Sequence, residues 1–147
     1  MTTLTRLAAA TLLFSLLASP VLAGGAKASP AGTWQTVDGQ ARVRVTMCGD
    51  GTQLCAKLTA LSGEARTPGN LQLLNRYVVQ GAKLDDSNGW AGTLHFDGQT
   101  ADGHIILVSA NAITVSGCQM GLCKTLLFRR LGTAPVTAEV ASLTVNE

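Results

Sequence analysis

Hydrophobic and polar residues alternate with a period of two through most of the chain after residue 32. Between Ala41 and Cys48, for example, Val43 and Val45 share one face with Met47, while the intervening positions carry Arg and Thr. Such alternation is typical of a β-strand that buries one face and exposes the other. The sequence therefore predicts strands that each contribute one apolar face to a common core.

Similar segments recur at short intervals, and Asp-Gly dipeptides of the kind that form turns follow several of them. The predicted strands, about eight in number, cover residues 33–37, 41–48, 54–61, 77–84, 90–96, 104–108, 113–118 and 123–130. A turn or two of helix is predicted only over 70–76, within the longest connection. This all-β pattern favours a closed antiparallel barrel, which leaves no free strand edge. A two-sheet β-sandwich is the alternative.

The first residues have the pattern of a secretory signal. One charge, Arg6, precedes an apolar run of about 11 residues, too short for the roughly 20 that a membrane-spanning helix needs. Val21 and Ala23 suit a signal peptidase, which predicts cleavage near Ala23-Gly24. We thus expect a signal peptide over 1–23, a short linker over 24–31, one barrel domain over 32–131 and a loosely ordered tail over 132–147. The mature chain is expected to be periplasmic or secreted and not membrane-spanning; an uncleaved anchor is the alternative.

Four cysteines follow the predicted signal, and an even number in an exported chain favours disulfides. Cys48 and Cys55 fall on the polar faces of consecutive strands, and so do Cys118 and Cys123. The sequence predicts the pairs Cys48–Cys55 and Cys118–Cys123, with the members of each pair directly opposite in a hairpin. Cross-pairing between the hairpins, a zinc site and a redox-active pair are alternatives, although neither bracket has the C-x-x-C spacing of the last two.

The net charge of the chain and the motifs that it lacks reduce the number of functions to consider. The net charge is +2 with no basic run, so we expect no nucleic-acid partner. No nucleophile or phosphate-binding motif is present, and we predict no catalytic residue, no cofactor and no metal. His95 and His104 could meet Asp97 or Asp102 in a metal or proton-transfer cluster. Two solvated histidines are the alternative, and Asp85 in the DDSNG loop is likewise expected to be solvated.

An ordered set of residues resembles a known bacterial family. These are Gly32-Thr33-Trp34, RVRVTMCG over 42–49, Leu54-Cys55, Arg76 before Gly81, Trp90-Ala91-Gly92, Gly117-Cys118 to Cys123, and Arg130. The set resembles the uncharacterised family catalogued as domain of unknown function 2147, over residue 32 to about residue 131. The resemblance implies a small exported protein with a lipocalin-like, calycin-type barrel. It also implies that Trp34 of a G-x-W motif, beginning at Gly32, packs under Arg130 and closes one end of the barrel. An anion-binding Arg130 is the alternative.

These observations lead to three functional hypotheses. The first is a non-catalytic barrel that binds a small apolar ligand or an envelope component. Its expected lining residues are Val43, Val45, Leu58, Trp90, Leu94, Phe96 and Phe128. The second is a module that contacts another envelope protein through the 62–76 connection or its outer face. The third is a small hydrolase or a metal-dependent enzyme.

Overall fold

The computed structural model describes residues 28–132. The predicted signal peptide and the tail after Gly132 lie outside the described residues. Eight strands and two short helical segments follow one another along the chain. They are β1 Gly32–Thr36, β2 Ala41–Cys48, β3 Gln53–Leu61, a 3-10 turn Gly63–Ala65, α1 Pro68–Gln72, β4 Tyr77–Leu84, β5 Gly89–Phe96, β6 Gln99–Ser109, β7 Ala112–Gln119 and β8 Leu122–Leu131.

The eight strands form a closed antiparallel barrel in which each strand pairs with its neighbours in sequence. The last strand closes the ring on the first, with Trp34 opposite Arg130 and Thr36 opposite Phe128. The predicted barrel is confirmed, and the sandwich alternative is excluded. Closure satisfies the main-chain groups of both terminal strands, so neither offers an edge for aggregation.

The two ends of the barrel differ, and we call them the closed end and the open end. The closed end carries the chain entry at 28–31 and the connections 49–52, 85–88 and 110–111. The open end carries the connections 37–40, 62–76, 97–98 and 120–121. Because successive strands run in opposite directions, every second connection falls at the same end. The long 62–76 connection therefore lies at the open end.

The core lies toward the closed end. Its most deeply buried side chains are Trp34, Leu54, Ile113 and Val45, each no more than 2% exposed. Burial of one such side chain contributes roughly 1.5–3 kcal/mol, so this group supplies a large share of the barrel's stability. Within residues 28–132, no helix has the length and apolar character needed to cross a membrane.

Strand β6 is longer than the sequence pattern predicts. The Asp102-Gly103 dipeptide predicts a turn, but it lies in the middle of β6. Gly103 faces Gly92 on one neighbouring strand and Gly117 on the other. A Cβ atom at Gly103 would clash with the side chain of Leu94, which fills the space over this glycine row. The glycine is therefore required by packing inside the barrel and not by a turn.

Candidate functional site

The closed end is sealed by an aromatic residue under a cation. The Trp34 side chain is fully buried, and the guanidinium carbon of Arg130 lies 4.3 Å from the centre of its ring. A cation over an indole ring contributes roughly 0.5–2 kcal/mol. Burial lowers the pKa of Arg130, but a guanidinium remains charged throughout the physiological range. These are the two residues that the family resemblance brings together.

Main-chain carbonyls complete this seal. Arg130 donates from Nη1 to the carbonyl of Ala31 and from Nη2 to that of Ser29, both at 2.6 Å, and from Nε to Ala110 at 2.7 Å. The indole N–H of Trp34 donates to the Pro30 carbonyl at 2.8 Å. Residues 29–31, which the sequence offers only as a linker, therefore form part of the closed end. All three guanidinium nitrogens are engaged, so Arg130 has a structural explanation without an anionic ligand.

Gly32 allows this approach. Its φ of +142° lies in a region that side chains rarely adopt, and a Cβ atom there would lie 2.6 Å from Nη1 of Arg130. A larger residue would thus strain the backbone and displace the guanidinium together.

A cavity of about 560 Å³ occupies the barrel interior and opens at the open end. All eight strands contribute to its wall. Six of the residues predicted to line the cavity do so, and they are Val43, Val45, Leu58, Leu94, Phe96 and Phe128. This volume is within the range of roughly 300–1,000 Å³ that pockets for small molecules span. The wall below the rim is almost entirely aliphatic or aromatic.

The prediction for Trp90 is wrong. Its side chain is 8% exposed but does not line the cavity. The indole N–H donates to the carbonyl of Thr52, in the connection between β2 and β3, at 3.0 Å. An indole N–H in an apolar interior needs an acceptor, and the bond to Thr52 holds Trp90 at the closed end.

Two small residues line the cavity. Ala56 contributes only a methyl group to the wall, and Gly117 leaves room that the side chain of Leu94 occupies. A β-bulge between Arg42 and Val43 then shifts the parity of β3, so that Leu61 lines the cavity in place of Ala60. Regular alternation predicts Ala60 inside, and a bulge is not visible in that alternation.

The rim of the cavity is polar. Around it lie Thr36, Asp38, Gln40, Glu64, Asn70, His95, Asp97 and Lys124. The hydroxyl of Thr36 and the backbone N–H of Gln40 donate to Asp38, and these bonds lower the pKa of its carboxyl group. Lys124 forms no salt bridge with any residue in 28–132. A ligand in the apolar cavity could therefore keep a polar end at the rim.

The 62–76 connection is held down over this rim. Thr67 caps α1 by accepting from the backbone N–H of Asn70 at 3.1 Å, and its hydroxyl donates to Asp97 at 2.6 Å. Asn70 accepts from the backbone N–H of Asp97 at 2.7 Å. Gly69 packs so closely on the Asp97-Gly98 turn that a Cβ atom would clash with its backbone. The predicted helix over 70–76 is replaced by α1, which begins two residues earlier at Pro68.

Both predicted disulfides are formed. Cys118 and Cys123 lie directly opposite each other, with their Cα atoms 4.0 Å apart. Cys48 instead faces Gln53, so its bridge to Cys55 runs diagonally over 6.0 Å between Cα atoms. The predicted opposite register of this pair is wrong because residues 49–52 form a four-residue turn. The first bridge lies at the closed end and the second at the open end.

The two histidines do not form a common cluster. His95 lies at the cavity rim, whereas Nε2 of His104 contacts both Asp85 and Ser87 at the closed end. Bonds from Ser87, above all from its hydroxyl, lower the pKa of Asp85 to about 2, and the His104 bond acts in the same direction. Asp85 thus ties the 85–88 turn to β6, where the sequence predicted only a solvated side chain.

This arrangement lacks the geometry of a catalytic relay. Ser87 and Asp85 contact the same nitrogen of His104, whereas a nucleophile and its orienting carboxylate must bind different ring nitrogens. Residues 28–132 contain no group of three or more His, Cys, Asp or Glu side chains placed to hold a metal. The described residues therefore favour structural roles for this trio.

Comparison with known protein families identifies the family of this chain. A family model described as "Uncharacterized protein conserved in bacteria (DUF2147)" matches residues 32–130, which is more than half of the chain and nearly the whole barrel. No curated protein and no solved structure gives a significant match. The chain belongs to this uncharacterised bacterial family.

Proposed function

We propose that the protein is an exported, non-catalytic binding protein that holds one small, mostly apolar ligand inside its barrel. One observation carries this proposal: an apolar cavity of about 560 Å³, walled by all eight strands, opens at one end only. Interiors of folded proteins are otherwise packed with few voids larger than a water molecule. A void of this size forfeits packing energy, which a ligand that fills it would return.

The chemistry of the wall suggests the ligand class. Val45, Leu58 and Ile113 surround the deep part with hydrocarbon, while polar side chains are confined to the rim. Within residues 28–132, no buried polar side-chain atom lacks a hydrogen bond, so the interior offers no unused polar partner. An elongated hydrocarbon with one polar end matches this division, and a sugar or a nucleotide does not.

Export and the absence of catalysis are parts of the same proposal. The apolar segment over 1–23 supports export, and two disulfides suit an oxidising compartment. The His104 trio lies at the closed end, away from the cavity, so the groups nearest the ligand would be aliphatic or aromatic. Binding without chemical conversion is the expected outcome.

The test combines extraction with titration. Mass spectrometry of an organic extract of the purified protein should reveal a bound amphiphile, and a fluorescent alkyl probe should bind with one site per chain. Val115→Trp, which places an indole in the cavity, should abolish probe binding. Thr114→Trp is the matched control, because it adds the same indole to the outer face of the same strand. An empty extract together with equal probe binding by the two variants would refute the proposal.

A further inference from the structure

Exposed apolar side chains surround the open end. Each of its four connections, or the strand end beside it, presents one or two of them. With their exposed fractions they are Val37 54%, Leu71 38%, Tyr77 44%, Phe96 41%, Met120 97% and Leu122 81%. The closed end carries Leu84 and Val108, at 56% and 60%. Scattered single residues of this kind are ordinary, but a ring on all sides of one opening is not.

Met120 breaks a local rule of chain geometry. It occupies the first position of the two-residue turn between β7 and β8, with φ of +50°, and Gly121 follows at +79°. Such turns favour Asn, Asp or Gly at that position. The other non-glycine residues with positive φ in the described part of the chain are Asn75, Asn88 and Asp97. A methionine here is therefore conformationally unfavourable.

Within residues 28–132, no packing offsets this cost. The Met120 side chain is 97% exposed, so it gains almost no packing on its own chain. A residue that violates local preference without an internal compensation is expected at a functional site. The observation points to contact with an apolar partner outside the chain.

The tip is also held rigid. The Cys118–Cys123 bridge lies just below it, and Gln119 pairs with Leu122 beyond the bridge. The two apolar side chains are thus presented on a hairpin that cannot open or slip. Contact with a partner would require little further ordering, which reduces the entropic cost of binding.

The distribution of these groups identifies the partner. A protein pocket would engage one side of the ring and would need about 800 Å² of surface on each partner, more than one hairpin tip supplies. A flat apolar layer can meet all four connections together. The charged residues at the open end nearly balance: Asp38, Glu64 and Asp97 against Arg42, Arg66, Arg76 and Lys124. One net positive charge gives at most a weak preference for an anionic surface.

We propose that the open end docks on the interfacial region of a lipid bilayer, with Met120 and Leu122 inserted first. The attraction is hydrophobic, so binding requires no anionic lipid and persists at high salt. Docking brings the cavity mouth against the lipid surface. The proposal depends on the exposed ring and the turn geometry, and it stands whether or not the cavity holds a ligand.

The test measures binding to vesicles by sedimentation at 0.1 and 0.5 M salt. Over this range the Debye length falls from about 10 Å to a few Å, so surface charges are progressively screened. Vesicles of phosphatidylcholine alone are compared with vesicles that also contain phosphatidylglycerol. The chain is expressed with its own N-terminal segment, and mass spectrometry establishes that all variants share the same N-terminus. The parent should bind both vesicle types with little salt dependence.

Two double variants, compared with the parent, decide the outcome. Met120→Asn/Leu122→Thr should weaken binding by at least about tenfold, the factor expected for losing burial of one such side chain. Its fold should be intact, since Asn-Gly suits this turn better than Met-Gly. Leu84→Thr/Val108→Thr removes two exposed apolar groups from the closed end and should bind like the parent.

Four results would overturn the proposal. They are a parent that binds neither vesicle, equal binding by both double variants, binding that requires phosphatidylglycerol, and binding that high salt abolishes. A parent that ignores vesicles but crosslinks from position 120 to a single protein would replace the lipid surface with a protein partner.

Discussion

The same eight strands form both ends of the barrel, but side chains seal one end and leave a cavity at the other. At the closed end, Trp34 and Arg130 stack, and main-chain carbonyls of residues 29–31 receive their N–H groups. At the open end, the interior is a cavity with Ala56 in its wall, and hydrogen bonds hold the long 62–76 connection over the rim.

The difference shows how stability and a binding cavity can share one small domain. The closed end concentrates the large buried side chains and the charge-assisted hydrogen bonds, which are the strongest non-covalent contacts available. The open end gives up packing and relies on a disulfide and side-chain bonds to turns for its shape. Changes at the closed end should therefore affect folding, and changes at the open end should affect binding.

The largest expected effect is at the closed end. Trp34→Ala should lower the free energy of unfolding by about 3–5 kcal/mol, because it removes a fully buried indole and leaves a cavity under Arg130. Trp34→Phe, which keeps an aromatic ring but loses the bond to Pro30, should lose clearly less. Urea unfolding measures both. If the alanine variant were as stable as the parent, the closed end would not stabilise the barrel in the way described.

The disulfides compare the two ends directly. Replacing either pair with serine, Cys48/Cys55 or Cys118/Cys123, should cost about 2 kcal/mol, because both bridges close short loops. Only the second pair lies below the Met120 tip, so only its loss should also weaken vesicle binding. Urea unfolding and vesicle sedimentation on both variants check this. Vesicle binding that falls equally in the two would contradict the division.

A smaller effect concerns the inner wall. Gly103→Ala should lower the free energy of unfolding by at least about 1 kcal/mol, since the added methyl group clashes with Leu94. In the double variant Gly103→Ala/Leu94→Ala, the loss should be smaller than the sum of the two single losses. Thermal unfolding of the four proteins gives the coupling. Additive losses would show that the glycine serves some purpose other than making room.

The smallest effect is the pH dependence of the 85–88 turn. The pKa of Asp85 is lowered to about 2, from an ordinary 3.8, chiefly by the Ser87 hydroxyl. Its contribution to stability is therefore fully present above about pH 4 and is lost as the pH falls through about 2. Asp85→Asn should be less stable than the parent at pH 5, and the difference should shrink toward pH 2. Asp86→Asn, whose native side chain accepts no hydrogen bond within 28–132, is the control; a matching profile would refute the assignment.

Much of the fold could be predicted because alternation records which face of a strand is buried. That signal gave the strands and the barrel, and the paired brackets gave both disulfides. Alternation did not predict the features that depend on packing between strands or on the length of a turn. Gly103 serves Leu94 and not a turn, the bulge beside Val43 moves Leu61 inward, and a four-residue turn displaces Cys48 from Cys55. These depend on contacts between strands, which no local pattern contains.

The candidate site was predicted in part for the same reason. Strand alternation shows which side chains point inward, and this is enough to identify most of the cavity wall. Trp90 was misplaced because the acceptor for its N–H, the Thr52 carbonyl, is distant in sequence. The seal formed by residues 29–31 and the attachment of Asn70 to Asp97 also join distant segments. A visible signal at the tip was Met120-Gly121, where an Asn or Asp is usual before the glycine of a tight turn.

The most direct test of an interior open at one end and sealed at the other uses methyl NMR with a spin-labelled fatty acid. The nitroxide is attached near the methyl end of the acyl chain, which should enter first and reach the deep wall. The account predicts broadened methyl signals of Val45 and Ile113, with those of Leu84 and Val108 on the outside of the closed end unchanged. Sharp interior signals at saturating fatty acid, or equal broadening inside and outside, would contradict it.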